Sequence, residues 1–189
     1  MCFCRGISKE MGTKKGGKMN YNDLYTKEDV KVYDGYIFYL DENCTMPYTG
    51  HVEDYFKGKL SWECDIVDGV KNGIEKTYYG FTGELECINE VKDNMGNGLA
   101  LEFYKSGKVM SISTVINNLN IDGYIYNEDG NLEKVDIWGI DNSIGINYSR
   151  VKDKIPELRK RYDLEKLNEE ILQYGIPIEF RKHFCRETE

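Results

Sequence analysis

The stretch Asn72-Gly73-Ile74-Glu75-Lys76-Thr77-Tyr78-Tyr79-Gly80-Phe81-Thr82-Gly83-Glu84-Leu85 decides the fold, because its pattern recurs. A glycine opens the unit, an aromatic-bearing run follows, and a second glycine precedes an aliphatic by two positions. The opening glycines are Gly50, Gly73, Gly98 and Gly123, spaced 23, 25 and 25 residues apart. The second glycines are Gly58, Gly83, Gly107 and Gly130, spaced 25, 24 and 23 apart. Leu60, Leu85, Val109 and Leu132 are the aliphatics. A fixed period in this range marks a repeat architecture in which each unit stacks on its neighbours.

Each repeat reads as a hairpin. Ile74 to Tyr79 and Leu99 to Tyr104 are rich in strand formers, as are Leu60 to Ile66, Val109 to Ile116 and Leu132 to Trp138. The tetrads around the second glycines read as tight turns, where glycine supplies a positive φ. Asp68-Gly69, Asn72-Gly73, Asn94 to Gly98 and Asp122-Gly123 read as the links between hairpins. The expected fold is mainly β: an antiparallel β-meander of four hairpin repeats with a short α-helical C-terminal segment.

Alternation along each strand sorts the side chains. One face collects His51, Tyr55, Leu60, Trp62, Cys64, Ile66, Ile74, Tyr78, Leu85, Cys87, Val91, Leu99, Leu101 and Phe103. The other collects Asp54, Glu63, Asp65, Glu75, Glu86, Glu90 and Glu102, with Phe56, Tyr79 and Tyr104 as a ladder of aromatics among them. Ile88, Met110, Ile112 and Ile137 break the pattern, which points to a bulge or to partial cover. These ten acidic and aromatic residues are the expected partner-binding surface, because aromatic anchors ringed by charge are typical of interface hot spots.

Charge narrows the partner. The chain has 189 residues and a net charge of −8. Residues 48–138 hold 16 acids and 8 lysines, so they carry the whole excess. That disfavours nucleic acid and anionic membranes, which need positive charge. It favours a basic protein partner reached by electrostatic steering. The six cysteines form no metal-ligand spacing, so no metal or cofactor is expected, and free thiols in the cytoplasm are the default. No P-loop, HExxH, GxSxG or dinucleotide fingerprint is present, and no catalytic residue is expected.

Three segments follow: a leader over 1–20, the repeat domain over 21–146, and a helical segment over 147–189. Lys14 to Met19 can be encoded by a string containing AGGAGG ahead of an ATG. Translation is therefore expected to start at Met19, which the intact native mass checks, and no fold is expected before Tyr21. Val30 to Leu40, turning at Asp34-Gly35, reads as a pair of entry strands. In the tail, Pro156 opens one helix, while Asp163 caps a second that carries Leu164, Leu167, Ile171 and Leu172 on one side and ends at Gly175.

The units Tyr48-Thr49-Gly50…Tyr55-Phe56-Lys57-Gly58-Lys59-Leu60 and Asn72-Gly73-Ile74…Tyr78-Tyr79…Gly83-Glu84-Leu85 resemble the bacterial variant of the MORN repeat. The resemblance covers about residues 33 to 138. It implies a β-meander and, since that variant is common in antitoxin and immunity proteins, a protein that neutralises a cognate toxin. The alternative it implies is a MORN-type scaffold. The repeat residues of the family are structural, so the resemblance brings no catalytic residue.

Overall fold

The computed structural model describes residues 17–29, 35–137, 151–178 and 180. The chain is mainly β. Its strands are β1 (Lys18–Asn20), β2 (Tyr25–Glu28), β3 (Tyr36–Tyr39), β4 (Gly50–Phe56), β5 (Lys59–Val67), β6 (Val70–Tyr78), β7 (Leu85–Lys92), β8 (Met95–Phe103), β9 (Val109–Ile116), β10 (Leu119–Tyr126) and β11 (Leu132–Ile137). Two helices follow, α1 (Ile155–Arg161) and α2 (Leu164–Tyr174). Nine strands join in the order β1-β4-β5-β6-β7-β8-β9-β10-β11, a meander of four hairpins, and β2 and β3 form a separate two-stranded sheet.

Two departures lie at the start. β1 runs parallel to β4, with Lys18 opposite His51 and Asn20 opposite Glu53, so ordered structure begins before Tyr21. The Tyr48 hydroxyl fixes this strand by donating to the Gly17 carbonyl at 2.5 Å. The first entry strand is Tyr25–Glu28, earlier than the sequence pattern suggests, and it pairs with Tyr36–Tyr39. Residues 1–16 and 30–34 lie outside the described residues.

The turns explain where the repeat begins. Lys57-Gly58, Asp68-Gly69, Asp93-Asn94 and Asn117-Asn118 are two-residue links with both residues at positive φ, the geometry that matches the twist of paired strands. Gly58 at φ +78 has open space around it, so only backbone conformation demands a glycine there. The opening glycines are not in turns, contrary to the reading of Asn72-Gly73, Gly98 and Asp122-Gly123 as links. They sit at the start of β4 and within β6, β8 and β10. Gly73 shows why: its φ is +132, and a Cβ there would lie 3.2 Å from Asp65 Oδ2.

A bulge recurs in step with the repeat. Tyr55 faces Leu60 but Asp54 faces Trp62, so Ser61 is extra. Tyr78 faces Leu85 but Thr77 faces Cys87, so Glu86 is extra. Tyr126 faces Leu132 but Ile125 faces Lys134, so Glu133 is extra. Each extra residue stands three positions after the second glycine. One inserted residue reverses which faces two strands share, and that reversal defeats strict alternation.

The chain divides into two compact units, residues 1–97 and 98–189. The division falls within β8, and the helices belong to the unit that holds the last strands. In the first unit, Phe38, Tyr48, Val52, Cys64, Ile66 and Val91 form a buried cluster with Met19, Tyr21, Leu24, Leu40 and Trp62 against it. The β2–β3 hairpin supplies Phe38. Its backbone is held by Phe38 N–H to the Gly69 carbonyl at 2.8 Å and Tyr48 N–H to the Phe38 carbonyl at 2.9 Å.

In the second unit, Pro156 lies in the first turn of α1. Asp163 caps α2 by accepting from the Lys166 N–H, and Gly175 closes it at φ 78. Leu167 and Ile171 are buried, whereas Leu172 is 52% exposed, one helical position too far round to share their stripe. The Tyr126 hydroxyl donates to Asn168 Oδ1 at 2.7 Å, tying β10 to α2. Residues 138–150 lie outside the described residues.

Candidate functional site

Two groupings of polar side chains stand on opposite faces of β4–β6 in the first unit. The first centres on His51. Its register partner is Asp65, while Glu53 is opposite Glu63 and Glu63 opposite Lys76. His51 Nδ1 lies 2.8 Å from Asp65 Oδ1 and Nε2 lies 3.2 Å from Glu63 Oε2. Lys76 Nζ reaches Glu63 at 2.9 Å and Lys18 Nζ reaches Glu53 at 2.6 Å. The hydroxyls of Tyr55 and Tyr78 donate to Glu53 and Glu63 at 2.7 and 2.6 Å. Three carboxylates therefore meet two ammonium groups and an imidazolium.

Hydrogen bonds to Asp65 and then Glu63 raise the His51 pKa to about 9, against the opposing effect of burial. His51 thus holds its proton at neutral pH and has no lone pair free to act as a base. Burial works to raise Glu63, but hydrogen bonds from His51, Tyr78 and Lys76 outweigh it and hold this carboxyl well below the usual range. One ligand atom each of His51, Glu53 and Glu63 lies within 4.8 Å of the others. A metal ion there would have to displace two ammonium groups and a proton, so the arrangement is an internal ion network.

The two shifts set opposite edges of a stability window. The folded-state pKa of His51 lies above its ordinary 6.5, so its contribution is complete below pH 6.5 and is lost as pH rises through 9. Glu63 is shifted down, so its contribution is present above its ordinary 4.5 and is lost as pH falls. With the imidazole 33% exposed, solvent screening limits the alkaline loss to about 1–2 kcal/mol. Thermal melting from pH 6 to 10 checks this: wild type should lose stability toward pH 9, and His51→Gln should flatten that slope.

The second grouping lies on the opposite face of the same strands. Tyr21, Tyr36, Phe38, Asp54, Trp62 and Lys71 line a cavity of about 220 Å³. Phe38 and Trp62 are near parallel, at 14° and 6.2 Å, and Tyr21 stands edge-on to both at 5.9 and 6.3 Å. Trp62 Nε1 donates to Glu75 Oε1 at 2.8 Å, and the same oxygen holds Lys71 Nζ at 2.7 Å.

The expected acidic face is therefore divided. Glu63 and Asp65 lie on the His51 face, as does Glu90, which is opposite Ile74 in register. Asp54 and Glu75 lie on the cavity face, opposite Trp62 and Cys64. The bulge at Ser61 carries Asp54 across, and the same shift puts His51 among the acids rather than with Trp62 and Cys64. Glu86 is itself a bulge residue. Ile88, expected among polar residues, is fully buried, so that face also contributes core.

The aromatic ladder is not seen as a set of like contacts. Phe56 packs edge-on against Phe81 at 5.4 Å, with Lys57 Nζ 5.4 and 5.1 Å from the two ring centres. Tyr79 opens the β6–β7 turn, its carbonyl accepting from Thr82 and Gly83. In the second unit, the Tyr104 hydroxyl donates to the Tyr126 carbonyl at 2.7 Å, and Glu102 accepts from Ser111 Oγ at 2.8 Å.

Strict alternation missed His51 and the cavity. The signal lay in register: a two-residue turn plus one extra residue sets His51 against Asp65. The expectation of free thiols holds at Cys64 and Cys87 but fails at Cys44, which is disulfide-bonded. No helix among the described residues is long and apolar enough to cross a membrane. No protein-family model matches the chain, and no curated protein matches it significantly.

Proposed function

We propose that the protein is a binding protein of the antitoxin or immunity type, which captures and occludes a basic toxin domain in the cytoplasm. The acid excess over residues 48–138, 16 acids to 8 lysines, carries this reading. Internal pairing neutralises only part of it. Glu53, Glu63 and Asp65 meet Lys18, Lys76 and His51, and Glu75 meets Lys71. Asp54, Glu86 and Glu102 have no ion pair among the described residues. Such charges steer a cationic partner and oppose an anionic one. The word antitoxin is supported by the resemblance of the repeats to the MORN variant. The free thiols at Cys64 and Cys87 fit a cytoplasmic setting, and the disulfide at Cys44 does not.

Growth tests the reading. Expressing the product of the adjacent gene should arrest cells, and co-expressing this protein should restore them. Restoration should fail with Glu86→Lys combined with Glu102→Lys. A chain that never relieves toxicity, or relieves it equally after both reversals, contradicts the reading.

One observation favours a self-associating scaffold instead. Among the described residues β11 ends the strand order, and Leu132 and Val135 on it are exposed. Terminal strands with exposed apolar side chains invite pairing between chains, and a solution molar mass above one chain would favour this second reading.

A further inference from the structure

We infer that the cavity of the first unit is a receptor for one arginine side chain presented by the protein partner. The inference rests on the binding reading only for the identity of the molecule that presents the side chain. The cavity holds about 220 Å³, several times the roughly 30 Å³ that one water occupies in the liquid. Among the described residues that line it, Tyr21, Tyr36, Phe38 and Trp62 are aromatic. Trp62 and Phe38 stack near parallel and Tyr21 stands edge-on to both, so the cavity is bounded by one packed group of rings. Tyr36 is exposed and stands at the rim.

The polar groups define the charge of the guest. Lys71 lines the cavity, but its ammonium is held by Glu75, which also fixes the Trp62 indole through Nε1. Among the described residues Asp54 has no such neutralising partner. Its Oδ1 accepts the Tyr55 backbone N–H at 2.9 Å, and no cation among the described residues pairs with it. An aromatic-lined cavity with a carboxylate that no described cation neutralises selects an organic cation, because aromatic rings attract positive charge and the carboxylate completes the pair. A guanidinium suits it better than an ammonium: it is planar, weakly hydrated, stacks on rings and can fork onto a carboxylate. A basic partner would supply that group, with the cavity as its anchor point.

Binding of an isolated side chain tests this. In a Trp138→Phe background Trp62 is the only indole, and its fluorescence reports titration with N-acetyl-arginine methylamide. Saturable binding is expected in the millimolar range, at least about ten-fold weaker for the neutral citrulline analogue and for Asp54→Asn, with circular dichroism and melting unchanged. The indole N–H resonance of Trp62 in the unsubstituted protein reads the same contact if the background variant folds poorly. Equal response to citrulline, an unchanged affinity in Asp54→Asn, or no saturation by about 50 mM would overturn the assignment. Arginine binding without capture of the toxin domain supports the receptor and removes the toxin as presenter. Toxin capture without arginine binding removes the receptor and leaves the toxin reading standing.

Discussion

Replacing Asn94 with alanine is expected to cost the first unit about 2–4 kcal/mol. Asn94 is 4% exposed and sits at φ 65 in the link between β7 and β8. Its Oδ1 accepts the Lys71 N–H at 2.8 Å. Its Nδ2 donates to Asp29 Oδ2 at 3.0 Å and to the Tyr36 carbonyl at 3.2 Å. One side chain thus joins β6, the end of β2 and the start of β3. Alanine removes all three bonds, strips a donor from a buried carboxylate, and strains a left-handed position. Asn94→Gly keeps the turn and should recover only the conformational part, about 1 kcal/mol. Urea unfolding of the two variants measures the difference. A melt within experimental error of wild type for Asn94→Ala would show that the hairpin is not anchored there.

The second large effect belongs to the other unit. Arg159 on α1 forks onto Asp122 of β10, Nε to Oδ2 at 2.7 Å and Nη2 to Oδ1 at 2.9 Å. The Asp122 side chain is only 8% exposed. Arg159→Met should therefore cost about 2–4 kcal/mol, because it leaves a charge buried without its fork. Asp122→Asn in the same chain should return a large part of that loss, since the remaining group is neutral. Hydrogen exchange at β10 follows the effect locally. A loss below about 0.5 kcal/mol would mean that the pair is screened like an ordinary surface bridge.

The hairpin count and the strand-rich segments were legible because glycine, aromatic and aliphatic positions recur together. So was the helical tail: Pro156, the Asp163 cap and Gly175 are local signals that need no tertiary context. The faces were not legible in the same way. Alternation is a rule for one strand, and its transfer to the next depends on every inserted residue. Ser61 alone moved Asp54 from the acidic set to the aromatic cavity and brought His51 into the acidic set. The parallel strand at Lys18–Asn20 was hidden for another reason. Three residues are too few to show a period, and what holds them is a contact from Tyr48, distant in sequence. The cavity needs Tyr21, Phe38 and Trp62 from three separate elements, which no spacing rule connects.

Calorimetric titration of the adjacent gene's purified product into this protein, at about 50 and 500 mM salt, tests the proposed function most directly, since exposed charges are screened within about 8 Å near physiological ionic strength. Binding should be tight at low salt and weaken at least about ten-fold at high salt, with a similar loss at low salt when Glu86 and Glu102 are both replaced by lysine. Absence of binding, or an affinity that neither salt nor the reversals alter, would contradict it.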